Sequence, residues 1–323
     1  MLGYFSKMIQ PNSLKAWFLA ARPKTLTGAI APVLVGAAFV YAHLLQGEVN
    51  CQLSAINCQF ILCLLFAMLM QIDANLINDY FDFKKGTDRE DRLGPERACA
   101  QGWITPRAMQ WGIAVMTILS CCVGLAILLI NMQWKLLLVG VFCVLFCFLY
   151  TTHLSYLGWG DLLVLVFFGF VPVVFTYYVM TDGGWNIPLL IASLAMGLAT
   201  DNLLMVNNYR DRHQDLLSGK RTIIVRIIAS KGQVVGERIC RRLYLWLGIF
   251  ATILSILSLC LAFPVSLFWA LPLLYLILHI RTYRQLCTLD GKALNSVLGA
   301  TARNIFVFGF LLALSVMLIT LSL

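Results

Sequence analysis

Two short segments hold most of the groups that could do chemistry in this chain of 323 residues. The first, DANLINDYFDFKKGTDREDRLGPER, runs from Asp73 to Arg97, and the second, DNLLMVNNYRDRHQDLLSGKRT, from Asp201 to Thr222. Each opens with an Asp inside an apolar helix, continues with asparagines, and reaches a further Asp, Asp82 or Asp211, nine or ten residues later. In the first, Asn75, Asn78, Asp79 and Asp82 follow i, i+3, i+4, i+7 spacing and share one helical face. Asp88, Asp91, Arg92 and Arg97 follow the break at Lys84, Lys85 and Gly86. In the second, Asn207, Asn208, Asp211 and Asp215 again occupy one face, followed by Gly219, Lys220, Arg221 and Thr222. The two segments look like a weak internal duplication, and both faces can look into one cavity.

Carboxylates so arranged suit a hard divalent cation, which takes oxygen ligands, keeps several waters and binds through one or two carboxylates plus substrate phosphate oxygens. A diphosphate bridged by such ions also needs fixed positive charge, which Arg97, Lys220 and Arg221 can supply. Solvated loop charge is an adequate account of any single Lys or Arg here. It does not account for Asp73, Asn75, Asp201 and Asn202, which a membrane helix carries only at a cost and which by default mark a functional cavity.

The elements that must position these groups are membrane helices. Hydrophobic residues make up 60% of the chain and charged residues 12%, far below the roughly 25% charged fraction of a soluble domain. A bilayer core needs roughly 20 mostly apolar residues per span. Nine such stretches are expected, at about 26–45, 57–81, 107–131, 134–151, 161–180, 186–207, 243–262, 264–281 and 302–322. Continuous apolar runs such as Leu137 to Val144 exclude the alternation of a β-barrel. The expected fold is an all-α membrane protein, nine transmembrane helices around a central cavity. Residues 1–25 form a cytoplasmic N-terminal segment, with no signal peptide evident, and 26–323 a single domain with catalytic loops at about 78–106 and 208–242.

The net charge of +9 invites a nucleic-acid reading, but the distribution of charge excludes it. On the expected topology all Lys and Arg except Lys135 share one face, which the positive-inside rule makes cytoplasmic. The N-terminus then lies inside and the C-terminus outside, with both acidic segments toward the cytoplasm. The eleven cysteines form no CxxC pair and behave as small apolar residues. Thr105 and Pro106 read as the N-cap and first position of the third span.

The first acidic segment resembles the NDxxD signature of the UbiA superfamily of intramembrane prenyltransferases, in the form NDYxDxxKGxD followed by DRxGPxR: Asn78, Asp79, Tyr80, Asp82, Lys85, Gly86 and Asp88, then Asp91, Arg92, Gly94, Pro95 and Arg97. The second resembles the same family through NNxRDxxxDxxxGKxT, here Asn207, Asn208, Arg210, Asp211, Asp215, Gly219, Lys220 and Thr222. RPKTL at Arg22 to Leu26 and YLGWGDxxVxVFFG from Tyr156 to Gly169 complete the match. This form is similar to the branch that prenylates 1,4-dihydroxy-2-naphthoate in menaquinone synthesis. One departure is that relatives often carry a basic residue after the Tyr that ends the fourth span, whereas Tyr150 to Tyr156 reads YTTHLSY, leaving His153 as the candidate substitute or a structural residue.

The resemblance implies ionisation of a polyprenyl diphosphate and capture of the allylic cation by the ring, with decarboxylation to a demethylmenaquinone. It implies Mg²⁺, with Mn²⁺ as the alternative ion, held by Asp82, Asp88, Asp211 and Asp215, with Asn78 and Asp79 close to the diphosphate. Arg22 and Lys24 are expected to meet the acceptor carboxylate or the diphosphate, or to anchor the interface. Asp73, Asn75, Lys85, Asp91 and Arg92 are expected at the substrate site from the first half. Arg97, Asp201, Asn207, Asn208, Arg210, Lys220 and Arg221 are expected there as well. Phe167, Phe168, Phe170 and Pro172 either line a greasy channel for the tail or pack, packing being the simpler expectation. The last three spans offer only Arg303, as anchor or site residue.

The expected partners are the polyprenyl diphosphate, dihydroxynaphthoate and the lipid bilayer, in the cytoplasmic membrane of a bacterium. Alternatives keep the fold but change the acceptor to 4-hydroxybenzoate, homogentisate, haem or a chlorophyllide, or the donor to a phytyl chain. An ion-coupled transporter would place its polar residues near the membrane midplane instead. A CDP-alcohol type of lipid-phosphate enzyme would carry a DG and AR motif that is missing here.

Overall fold

A computed structural model of the chain describes residues 9–47, 53–86, 92–181 and 183–323. All regular elements among them are helical: α1 Leu14–Ala21, α2 Leu26–Leu45, α3 Leu53–Lys85, α4 Pro106–Asn131, α5 Lys135–Leu157, α6 Gly160–Met180, α7 Ile187–Leu217, α8 Ile223–Lys231, α9 Gln233–Ala262, α10 Leu273–Thr288 and α11 Leu294–Leu321. Among the described residues 8 helices are long and apolar enough to cross a membrane. The stretch expected at 264–281 is different, because Pro264 opens it and Pro272 stands midway, just ahead of α10. A 3₁₀ turn, Leu267–Ala270, precedes the 16-residue α10. The sequence reading also missed α1 and α8, too short to read as spans.

Helix α2 sits inside the bundle, packed on α11, α6 and α3. Gly36 allows the tightest of these contacts, since a Cβ there would stand 2.5 Å from the Val173 carbonyl oxygen. Small residues let backbones approach where lipid offers no hydrophobic drive to helix pairing. The α6–α7 crossing uses the same device: a Cβ on Gly169 would lie 2.5 Å from the Ser193 oxygen and 2.8 Å from the Gly197 Cα. Caps set the register of two elements that frame the acidic loops. Thr105 accepts from the Ala108 N–H ahead of α4, with Pro106 in its first turn, as expected, and Thr222 accepts from Val225 ahead of α8. Two π turns interrupt the run between them, Tyr150–Leu154 and Leu165–Phe170, a local form frequent at functional sites.

Candidate active site

The face predicted on α3 exists, but its members serve different neighbours. Asn75, buried, donates to the Ala21 carbonyl and to Thr25 Oγ1, both at 2.9 Å, and so fastens the RPKTL turn to α3. Asn78 Oδ1 accepts from Thr151 at 2.7 Å, joining α3 to the first π turn. The two oxygens of Asp79 accept from the Ala98 and Cys99 N–H groups at 2.8 and 2.9 Å, where it anchors the returning loop. That anchor sets Arg97, whose guanidinium donates to Asp82 at 2.7 Å. Asp73 lies two turns deeper, bonded to Thr117 at 2.7 Å, with its other oxygen buried and unbonded. Asp88 and Asp91 lie outside the described residues.

At the end of α7, Arg210 is 1% exposed and grips Asp211 through two bonds of 2.7 and 2.6 Å. It also donates to Asn207 at 2.8 Å and Asn295 at 2.9 Å. Burying such a cation is tolerable only because its donors are taken. Asp215, buried, meets Lys220 at 3.5 Å. Asn208 is also buried, and Asp201 lies two turns deeper with one oxygen unbonded.

The two ends meet. Lys85 stands 4.1 Å and Lys220 5.3 Å from the centre of one ring, Tyr156. Arg221 donates its backbone N–H to the Tyr156 carbonyl at 2.9 Å. Asn295 on α11 completes the tie by donating to the Leu93 carbonyl at 2.8 Å while it accepts from Arg210. Arg22 approaches from the other side. It holds a left-handed backbone with φ 50°, carries a buried Nη2 with no hydrogen bond, and has Arg97, Asp79, Arg92 and Asp82 as its charged neighbours. Lys24 and Arg221 point their side chains to the exterior, and Arg92 bonds the Pro95 carbonyl at 3.2 Å.

After Tyr150, His153 bonds its neighbour Thr152. Lys85 reaches the same turn, donating to the Thr151 and Thr152 carbonyls at 3.2 and 2.8 Å. Arg303 reaches only Asn304, at 3.4 Å, so the last helix contributes Asn295 to the site instead.

Beneath this polar mouth runs an apolar cavity of about 680 Å³ between α2, α3, α4, α5 and α6. Gln71, Ala74 and Tyr150 line its polar end and Val33, Ile127 and Val179 the far end. Phe167, Phe168 and Pro172 line it too, so the expectation that they only pack fails; Phe170 faces a separate groove.

Oxygen-only donors at two converging helix ends, interleaved with fixed cations and opening on a greasy channel, match one family model, described as the UbiA prenyltransferase family, over residues 29–295. The chain belongs to the UbiA prenyltransferase family. It is 34% identical over 237 residues to the 1,4-dihydroxy-2-naphthoate octaprenyltransferase of Haemophilus influenzae, covering 71% of this chain and 74% of that one. It is also 34% identical over 227 residues to the protein of that name from Escherichia coli K12, covering 68% and 70%. The solved structure of a UbiA homologue from Archaeoglobus fulgidus bound to DMAPP and Mg²⁺ superposes with TM-score 0.58 at 16% identity, over 92% of this chain and 98% of that one. This prenyltransferase is therefore an integral membrane protein with the family's helical fold. The sequence reading had missed Tyr150, Thr151, Tyr156, Asn295 and, above all, Asp161, an acid in an apolar run that the rule used for Asp73 and Asp201 would have found.

Proposed function

We propose that this chain transfers a polyprenyl group from polyprenyl diphosphate to 1,4-dihydroxy-2-naphthoate with decarboxylation, giving demethylmenaquinol, the reduced form of demethylmenaquinone, with carbon dioxide and diphosphate. The carrying observation is the convergence of Lys85 and Lys220, from the α3 end and the loop after α7, on Tyr156, together with the apolar cavity that Tyr150 lines. The relatives named for that reaction support the choice of acceptor.

Asp82, Asp211 and Asp215 would hold a hard divalent cation through the carboxylate oxygens that here meet Arg97, Arg210 and Lys220, with Asp88 as the fourth candidate. Bound Mg²⁺, or Mn²⁺ in its place, supplies Lewis-acid stabilisation of the charge that builds on the leaving diphosphate. Arg97, Lys85 and Lys220 surround the same place with fixed positive charge that needs no reorganisation during reaction. Asp79 and Asn78 are positioning residues, holding the Arg97 loop and the Thr151 turn, and Asn75 does the same for the turn carrying Arg22. Arg22, with an unspent buried donor, faces the carboxylate of the acceptor or the diphosphate.

The apolar cavity holds the tail, since moving tens of methylenes from lipid to water costs about 0.8 kcal/mol each. It also keeps water from the allylic cation. The basic face is cytoplasmic, in the inner membrane of a bacterium, and the catalytic loops are those at about 78–106 and 208–242. The deciding experiment uses membranes containing this protein, a polyprenyl diphosphate and dihydroxynaphthoate labelled in its carboxyl group. Label should leave as carbon dioxide as the prenylated product forms; retention of label in that product refutes the acceptor assignment.

A further inference from the structure

We propose that Asp161 and Asp201 form a proton-accepting pair that binds a phenolic hydroxyl of the aromatic acceptor and takes its proton as the ring is prenylated. The assignment rests on the prenyl-transfer reading above and adds a subsite to it.

Asp161 stands in the first turn of α6 and Asp201 in the middle of α7, where the two helices are in contact. They are 9% and 5% exposed, and a Cβ on Gly160, beside Asp161, would stand 3.1 Å from the Leu204 side chain, three positions past Asp201. In each, Oδ1 is buried without a hydrogen bond, and no salt bridge joins either to a cation among the described residues. Two buried acids with open oxygens and no cationic partner can take up a proton between them. Nothing in the packing requires them, since buried acids without a partner cost stability that apolar residues would not. The open oxygens therefore wait for a donor.

Tyr150 identifies that donor. Its phenol lies 3.8 Å from where a Cβ on Gly160, beside Asp161, would stand. The residue also lines the polar end of the tail cavity. An aromatic ring entering beside Tyr150 thus has the diphosphate site and the open carboxylates within reach. The phenolic O–H breaks and its proton goes to the pair, and the oxygen's electrons raise density at the ring carbon that bonds the allylic C1. The C1–O bond breaks, and its electron pair leaves with the diphosphate. Carbon dioxide then departs from the same ring carbon, leaving its electrons as an enolate that takes the proton back.

The test uses the purified full-length enzyme, varying acceptor and donor separately in Asp161→Asn, Asp201→Asn and the double variant. Each single change should lower kcat by about a hundredfold. The donor KM and the Mg²⁺ requirement should stay within about twofold, and the double variant should be hardly worse than either single one, as for groups acting as a unit. Thermal midpoints should hold or rise, because a buried unpaired carboxyl has been removed. The proposal is overturned if a single variant keeps kcat within about threefold, if the Mg²⁺ requirement rises in parallel, or if the midpoint falls with kcat and Glu at either position restores only the midpoint. Failure of the underlying reading looks different: the unsubstituted enzyme then forms no prenylated product with any phenolic acceptor, which removes the subsite with it.

Discussion

Gly158 joins the segment after α5 to the loop that carries Lys220, and Gly158→Ala should separate them. At φ 81° a new Cβ would stand 2.1 Å from the Arg221 carbonyl oxygen and 3.2 Å from its carbon. These are backbone atoms, so no rotamer relieves the clash. The left-handed conformation alone costs a non-glycine residue about 1–2 kcal/mol. Pushing Arg221 away also breaks its N–H bond to the Tyr156 carbonyl, worth about 1 kcal/mol. The Arg226 bond to the Leu157 carbonyl adds under about 1 kcal/mol, because that side chain is exposed. The sum is about 3 kcal/mol.

Gly219→Ala is the control, with φ 74° and open space where its Cβ would go, so it carries only the conformational cost of about 1 kcal/mol. Thermal unfolding of both variants should put Gly158→Ala roughly 3–6 °C below Gly219→Ala. Turnover should fall about tenfold or more in Gly158→Ala, since small displacements of positioning groups are costly, and stay within about threefold in the control. Equal midpoints and equal turnover in the two variants would refute the claim that this contact assembles the site.

Asp82→Asn and Asp211→Asn should each abolish turnover while the protein remains folded by its far-ultraviolet circular dichroism; near-normal activity in either contradicts the metal assignment. Treatment with a chelator should stop the reaction and added Mg²⁺ or Mn²⁺ restore it, measured as prenylated product. Asp79→Asn leaves one of the Ala98 and Cys99 N–H groups without its acceptor and should cost about 1–3 kcal/mol, seen as a lower thermal midpoint. Gly140 lines the cavity with nothing within 4 Å of its Cβ position. Gly140→Phe should therefore reduce kcat/KM for long polyprenyl diphosphates and spare dimethylallyl diphosphate.

The helices were legible because lipid demands continuous apolar runs. Span α2 matches residue for residue, and the shifts elsewhere come from polar helix ends such as Asp82 to Lys85 that protrude past the apolar core. The short α10 was not, since Pro264, Pro272 and the 3₁₀ turn between them do not interrupt apolar composition. The two acidic faces were legible from spacing, but spacing cannot say which oxygens are spent on structure. Asp79 and Asp82 look alike in sequence, yet one holds backbone N–H groups and the other Arg97. Long-range partners such as Asn295 with Leu93, 202 positions apart, leave no local pattern. Lys85 standing beside the YTTHLSY segment is of the same kind.

The account stands on the ends of α3 and α7 gripping one cation-bridged diphosphate. Equilibrium binding of a radiolabelled polyprenyl diphosphate to the purified chain, with and without Mg²⁺, tests that most directly across a cycle of Asp82→Asn, Asp211→Asn and both together. Binding should require Mg²⁺, fall at least tenfold with either substitution, and fall little further with both, giving a coupling of about 1.4 kcal/mol or more. Metal-independent binding, or losses that simply add, would show that the two helix ends do not share the ligand.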